Sequence, residues 1–272
     1  MVVHDPDTSQ CEQAKEYVRE NSQSYPRTAD TTPCDLSIKA TLPEAVQDAW
    51  LVIECVPEKL EAKIQILGQL VKLVRSDAVI ATNSSSYRSS EMLAEVPDSS
   101  KNRILNMHYY MPPNCMVVEL MTDGFTDQTI IDFLEAKCRE VGTLPYVARK
   151  ESTGFIFNRL WAAVKRETLT ILAEGVSTPE EIDSMWTEIF LKGGGLPCKA
   201  MDSELNQGPG KGDVLTLATA VGLDTVAFIE SNYVKERGLS GEKTVDFLEN
   251  NYLSANKLGN KSANGGLYPP SK

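Results

Sequence analysis

The 272-residue chain contains only two histidines, His4 and His108, and its six cysteines are scattered without a Cys-x-x-Cys pair. Zinc sites need clustered cysteine or histidine ligands, so a bound metal is not expected. Scattered cysteines also favour a reducing, intracellular compartment over a secreted, disulfide-linked protein. The sequence therefore predicts a cytoplasmic protein without a metal centre.

Long apolar segments and an excess of positive charge are lacking as well. No apolar run reaches the roughly 20 residues that span a bilayer, and the first ten residues, MVVHDPDTSQ, do not have the features of a secretory signal. A net charge of −11 argues against nucleic acid or an anionic membrane surface as the main partner. The hydrophobic fraction of 42% predicts a folded protein.

The distribution of apolar residues divides the chain near residue 150. Before that point, short β-branched runs alternate with helical segments, which indicates parallel βαβ units. Strands are predicted at Val2–His4, Leu36–Ala40, Trp50–Cys55, Ala78–Thr82, Arg103–His108, Met116–Met121 and Leu144–Ala148, and helices at Ser9–Asn21, Lys59–Val74 and Thr126–Val141. The sequence predicts an open α/β domain over residues 1–150 and a helical domain over residues 151–272.

The second half contains helical patterns only. Thr153 is predicted to cap a long helix that ends at Gly175, and Pro179 to open the next helix. Two further helices are predicted at Asp224–Tyr233 and Lys243–Tyr252.

Four chemically different side chains occur near the ends of these elements. Ser85 follows a predicted strand, His108 lies at the exit of another, Glu119 lies inside an apolar strand, and Asn158 lies early in a helix. Together they can move a proton on and off a carbonyl oxygen. Simpler interpretations are a turn serine, a loop histidine, a solvent-facing glutamate on an edge strand and a solvent-facing helical asparagine.

The combined motifs resemble the 3-hydroxyacyl-CoA dehydrogenase family, including its L-gulonate dehydrogenase, or lambda-crystallin, branch. The resemblance covers nearly the whole chain and is carried by Asn83–Ser86, the His108 loop, Glu119, Thr153–Leu160 and Asn256–Lys261. It implies a Rossmann-type doubly wound α/β sheet followed by an all-α C-terminal domain that forms a homodimer. It also implies NAD-dependent interconversion of a 3-hydroxyacyl thioester, or a related 3-hydroxy acid, and its 3-keto form.

The resemblance assigns a role to each candidate residue. His108 is implied to be the general acid/base, Glu119 to orient it, Ser85 to contact the substrate oxygen and Asn158 to hold the carbonyl. The implied NAD-binding residues are Asp5, at the adenosine ribose, Glu58 and Lys63, near the nicotinamide ribose, and Asn83. The simpler interpretations are an unremarkable N-terminal aspartate for Asp5 and a charged helix face for Glu58 and Lys63.

The chain departs from the family pattern in three places. Met111 stands where the family usually has asparagine. The first strand and the Gly-x-Gly-x-x-Gly turn are not found, so Val2–His4 and Trp50–Ile53 should lack their shared central partner, and NAD binding should be weak. Ser203–Thr219 interrupts the helical-domain pattern, and we interpret it as a retained intron or as a surface insertion.

Three functions are compatible with these features. The favoured one is the NAD-dependent dehydrogenase. The alternative is a non-redox acid/base enzyme that enolises or cyclises a β-keto or β-hydroxy acyl thioester. The third is a catalytically silent partner protein, against which the joint presence of His108, Glu119, Ser85 and Asn158 argues.

Overall fold

The computed structural model describes residues 1–22, 35–192 and 222–268. The chain divides into two compact units, Met1–Ile156 and Phe157–Lys272. The Ser203–Thr219 segment lies outside the described residues. Among the described helices, none combines the length and the apolar character needed to cross a bilayer.

The described residues of the first unit form two sheets. Strands β1 (Val2–Val3) and β2 (Ser37–Ile38) form a parallel pair. The second sheet has five strands, in the spatial order β3 (Leu51–Glu54), β4 (Val79–Thr82), β5 (Ile104–Tyr109), β6 (Val117–Thr122) and β7 (Leu144–Ala148). The segments that begin at Val2 and Trp50 thus lie in different sheets of the described residues, as the sequence predicted.

The five-stranded sheet is not wholly parallel. Strands β5 and β6 are antiparallel, whereas the other neighbouring pairs are parallel. The expectation of parallel βαβ units applied to strands that are separated by helices, and no helix lies between β5 and β6. The two strands are joined by a short loop, residues 110–116, and a connection of that length suits antiparallel pairing, because parallel strands need a long crossover.

The α-helices that accompany these sheets in the described residues are α1 (Thr8–Asn21), α2 (Leu42–Val46), α3 (Leu60–Leu73), α4 (Asp98–Lys101) and α5 (Gln128–Glu140). The predicted apolar stripe of α3 is confirmed: Leu67 is fully buried, and Leu60, Ile64 and Val71 pack around the same core cluster. The short helix α2 was not predicted from the apolar pattern. It begins with a capping box in which the Thr41 hydroxyl accepts the Glu44 amide.

The second unit is helical in its described part. Its α-helices are α6 (Phe157–Ala173), α7 (Pro179–Trp186), α8 (Leu223–Arg237) and α9 (Val245–Asn251). Helix α7 begins as predicted, with Thr178 as N-cap and Pro179 in the first turn. The predicted helix start at Thr153 is wrong. Gly154 (φ 75°) and Phe155 (φ 55°) have left-handed backbone conformations, which a right-handed helix excludes, so α6 begins only at Phe157.

Candidate active site

The carboxyl ends of β3, β4 and β5 meet at one edge of the sheet, because these strands are parallel neighbours. Asn83 and Ser85 follow β4, and His108 is the next-to-last residue of β5. The Asn83 side chain accepts a hydrogen bond from the Tyr109 amide at 3.0 Å, which joins the two strand exits. Ser85 is half-buried in this loop. The structure thus brings Ser85 and His108 to the same edge.

His108 and Glu119 lie directly opposite each other in the antiparallel pair of β5 and β6. Their exposed fractions are 8% and 1%, so both side chains are buried. The interpretation of Glu119 as a solvent-facing residue on an edge strand is wrong, because β6 lies between β5 and β7. A buried carboxylate is costly unless it is hydrogen-bonded or paired.

The Glu119 carboxylate accepts hydrogen bonds from both a side chain and a backbone amide. The Tyr110 hydroxyl donates to Oε2 at 2.5 Å, and the Ile156 amide donates to Oε1 at 2.8 Å. Nδ1 of His108 is buried and has no hydrogen-bond partner among the described residues. The structure therefore places the imidazole and the carboxylate side by side without a hydrogen bond between them.

Burial also controls the protonation of His108. It lowers the pKa of the imidazole to about 4, while the negative charge of nearby Glu58 acts in the opposite direction. The ring is therefore neutral near pH 7. A neutral imidazole is the form that accepts a proton from a hydroxyl group.

Two aromatic rings surround His108, and neither was predicted as part of the site. The Tyr110 ring meets the imidazole edge-on at 4.5 Å between centroids, and the Phe155 ring stacks on it at 5.3 Å with an interplanar angle of 26°. The sequence contained a signal for Tyr110, because residues two apart on a strand face the same side. The position of Phe155 could not be predicted from the sequence, because it depends on the left-handed turn at residues 154–155.

Lys63 lies in the interior, where it binds a carboxylate that was also missed. Its ammonium group donates to Glu54 at 3.0 Å and to the Val56 carbonyl at 3.1 Å, and it lies 3.3 Å from a Glu58 oxygen. The exposed fractions of the Lys63 and Glu54 side chains are 1% and 2%. The interpretation of Lys63 as part of a charged, solvated helix face is therefore wrong. The sequence feature that could have revealed Glu54 is its position at the end of the apolar run Leu51–Glu54, where a buried carboxylate needs a partner.

Glu58 connects this ion pair to the loop after β4. Its Oε1 accepts the Ser84 hydroxyl at 2.5 Å and the Ser86 amide at 3.0 Å. Burial acts to raise the pKa of Glu58, but the Ser84 hydrogen bond and the charge of Lys63 together hold it below its usual range. The side chain is 35% exposed, so an ionised carboxylate remains accessible to a ligand beside the Ser85 loop.

Asp5 lies just beyond β1, in the smaller sheet. Its Oδ1 accepts the Asp7 amide at 2.8 Å, and helix α1 begins three residues later at Thr8. The Tyr17 hydroxyl on α1 donates to the Pro112 carbonyl at 2.6 Å, which ties this helix to the loop after His108. A half-buried carboxylate at the end of a parallel strand fits a hydrogen-bond acceptor for ribose hydroxyls.

Asn158 belongs to the second unit. It is the second residue of α6 and is half-buried. The sequence predicts Asn158 in the first turns of a helix that starts near Gly154. In the structure it lies in the first turn of a helix that starts at Phe157.

Family models match this chain in two places. Residues 1–152 match the NAD binding domain of 3-hydroxyacyl-CoA dehydrogenase, and residues 154–203 match the C-terminal domain of the same enzyme. The chain belongs to the 3-hydroxyacyl-CoA dehydrogenase family. NAD is therefore the cofactor associated with its first unit, and the mixed α/β sheet with a helical C-terminal region is the fold of this family.

Individual relatives agree with this assignment. The chain is 44% identical over 173 residues to the 3-hydroxyacyl-CoA dehydrogenase-like protein LAM1 of Cochliobolus heterostrophus, covering 64% of this chain and 33% of that protein. It is 29% identical over 225 residues to a 3-hydroxybutyryl-CoA dehydrogenase of Clostridioides difficile, covering 82% of this chain and 72% of the relative. The (S)-3-hydroxybutyryl-CoA dehydrogenase of Ralstonia eutropha has the same fold, with a TM-score of 0.74, 24% identity and coverage of 97% and 86% of the two chains.

The match to several relatives is partial in length. The chain spans a third of LAM1 and about half of the L-carnitine dehydrogenases and lambda-crystallins that it also matches.

Proposed function

We propose that this protein is an NAD-dependent oxidoreductase that interconverts a 3-hydroxyacyl thioester, or a related 3-hydroxy acid, and its 3-keto form. The observation that carries the proposal is the buried, neutral imidazole of His108 opposite Glu119, at the edge where the parallel strands end. Membership in the 3-hydroxyacyl-CoA dehydrogenase family supports it.

His108 would accept the proton of the substrate 3-hydroxyl, because it is neutral at working pH. The resulting imidazolium would be stabilised by the carboxylate of Glu119, which lies across the strand pair. Ser85 would donate to the same substrate oxygen, and Asn158 would hold the thioester or carboxylate carbonyl. NAD supplies the acceptor for the hydride that leaves the substrate carbon.

The remaining candidate residues would hold the cofactor. The carboxylates of Asp5 and Glu58 would accept hydrogen bonds from ribose hydroxyls. Lys63 would act through Glu58, because its own ammonium group is buried. Asn83 would act by fixing the loop after β4 against the Tyr109 amide.

The wider setting also belongs to this proposal. We infer a cytoplasmic homodimer that is formed through the helical domain, with residues 1–150 as the NAD-binding domain and residues 151–272 as the helical domain. Its role would be in fatty acid or specialised metabolism. Because the relative from Clostridioides difficile is named a 3-hydroxybutyryl-CoA dehydrogenase, that thioester is the first substrate to test.

The test uses the purified full chain, NAD and 3-hydroxybutyryl-CoA, with NADH formation as the readout. We expect turnover, and we expect the His108→Gln variant to lose about 10²–10⁴-fold in kcat, the usual contribution of a general base. The His4→Gln variant is the matched control and should retain kcat. Turnover that is equal in wild type and His108→Gln would refute the proposed role of His108.

One observation favours the non-redox alternative. Asp5 follows β1, which lies in a different sheet from β3. The strands that would hold the cofactor are therefore divided between two sheets in the described chain. Consumption of a β-keto acyl thioester without any nicotinamide, lost in His108→Gln, would establish that alternative. Strict dependence of turnover on NAD would exclude it.

A further inference from the structure

Tyr110 extends β5 beyond its last assigned residue. Its amide donates to the Val117 carbonyl at 3.2 Å, which continues the antiparallel pairing with β6. Residues two apart on a strand face the same side, so Tyr110 lies on the same face as His108. The 4.5 Å edge-on contact between the two rings agrees with this placement.

The Tyr110 hydroxyl binds the carboxylate that lies opposite His108. It donates to Oε2 of Glu119 at 2.5 Å, while the Ile156 amide donates to Oε1. A carboxylate beside a catalytic histidine usually accepts the Nδ1 proton, which fixes the tautomer and supports the charged ring. Here Nδ1 is buried and has no partner in the part of the chain that the structure describes.

We propose that Tyr110 is a positioning residue whose hydroxyl competes with Nδ1 of His108 for the carboxylate of Glu119. While the hydroxyl is bound, Glu119 is held by Tyr110 and Ile156, and the imidazole has no acceptor for an Nδ1 proton. When the hydroxyl moves away, Oε2 becomes available to Nδ1. The catalytic meaning of this competition rests on the proposed function, but the competition itself is a property of the chain without substrate.

The charged groups around His108 set the size of the expected effect. Glu58 faces the ring from the segment before α3, where it is paired with Lys63, and Glu119 faces it from β6. The stacked Phe155 covers another side with an apolar ring. A carboxylate that pairs directly with an ionisable group shifts its pKa by about 1–3 units toward the charged form.

The first variant is Tyr110→Phe, which keeps the ring contact and removes only the hydroxyl. Without the Tyr110 hydroxyl, Oε2 of Glu119 should accept a hydrogen bond from His108. The pKa of His108 should therefore rise by about 1–3 units. The ring should also change to the Nδ1-protonated tautomer. Both are read from imidazole ¹³C and ¹⁵N chemical shifts in a pH titration of the full chain. Since there are only two histidines, the His4→Gln variant assigns the signals.

Tyr109→Phe is the matched control. Tyr109 precedes Tyr110 in sequence, but its hydroxyl contacts the Met107 sulfur at 3.9 Å on the opposite face of the strand. Removal of that hydroxyl should leave the titration of His108 unchanged. An equal shift in both variants would mean that loss of a tyrosine hydroxyl disturbs the strand in general, and it would overturn the proposal.

A second arm uses Glu119→Gln. In that background the carboxylate is absent, so Tyr110→Phe should no longer change the His108 titration. An unchanged His108 in the single Tyr110→Phe variant, or the same rise in both backgrounds, would overturn the proposal. So would a wild-type His108 whose pKa already lies above that of an exposed histidine.

These titrations need neither substrate nor nicotinamide, so their outcome is separate from that of the NADH assay. If turnover is found, the acid limb of the kcat profile should move to higher pH in Tyr110→Phe together with the His108 titration. If the titration behaves as expected and no NADH forms, the dehydrogenase proposal fails and the role of Tyr110 stands.

Discussion

The ion pair between Lys63 and Glu54 gives the sharpest stability prediction. Nζ lies 3.0 Å from Oε1, and both side chains are almost completely buried. Lys63→Met removes the ammonium group but keeps most of the aliphatic stem. The Glu54 carboxylate is then left buried without its cation, and breaking a buried pair in this way costs about 3–5 kcal/mol. For a unit of this size, that corresponds to a fall in Tm of about 6–20 °C.

Two further variants test the reasoning, with urea and thermal unfolding followed by circular dichroism. Lys72→Met makes the same change at an exposed position of α3 and should alter the free energy of unfolding by less than about 0.5 kcal/mol. Lys63→Met combined with Glu54→Gln removes the unpaired charge. The carboxamide keeps one acceptor oxygen for the two donors, the Thr82 hydroxyl and the Val56 amide, so the double variant should recover part of the loss. A Lys63→Met loss below about 1 kcal/mol, or no recovery in the double variant, would refute the account.

Two other predictions concern the His108 loop. Burial lowers the pKa of His108 to about 4, below the roughly 6.5 of an exposed histidine, so the unfolded chain binds more protons between these values. The free energy of unfolding should therefore fall by about 3 kcal/mol as the pH drops through this window; His108→Gln should lack that component, and parallel pH curves would contradict it. Met111 is 79% exposed and has φ 52°, so Met111→Asn should stabilise the fold by about 0.5–1 kcal/mol, seen as a higher urea midpoint.

Some of the site followed from local sequence pattern. The position of His108 after an apolar run predicted a strand exit. In the structure His108 is the next-to-last residue of β5. The apolar surroundings of Glu119 predicted a costly carboxylate that needs partners, and in the structure the Tyr110 hydroxyl and the Ile156 amide donate to it. Both inferences work because strand burial and the cost of buried charge are readable from neighbouring residues.

The partners of these groups were not predictable in the same way. Lys63 and Glu54 are nine positions apart and belong to different elements, so their pairing depends on how α3 packs beside β3. The antiparallel register that places Glu119 opposite His108 depends on the length and conformation of the 110–116 loop. Periodicity identifies which face of an element is buried, but it does not identify the residue that meets that face.

The turn at Gly154 and Phe155 shows why the site and the end of the first unit are built together. A left-handed phenylalanine costs about 1–2 kcal/mol, yet Phe155 is 2% exposed, and burial of such a ring contributes about as much or more. The same turn directs the Ile156 amide onto Glu119, a hydrogen bond to a charged acceptor worth about 1.5–3 kcal/mol. A regular helix from Thr153, as the sequence suggested, would direct this amide along the helix axis and remove the ring from His108. The strained turn therefore supplies both the cover over the imidazole and a donor to the neighbouring carboxylate, and these contacts offset its cost.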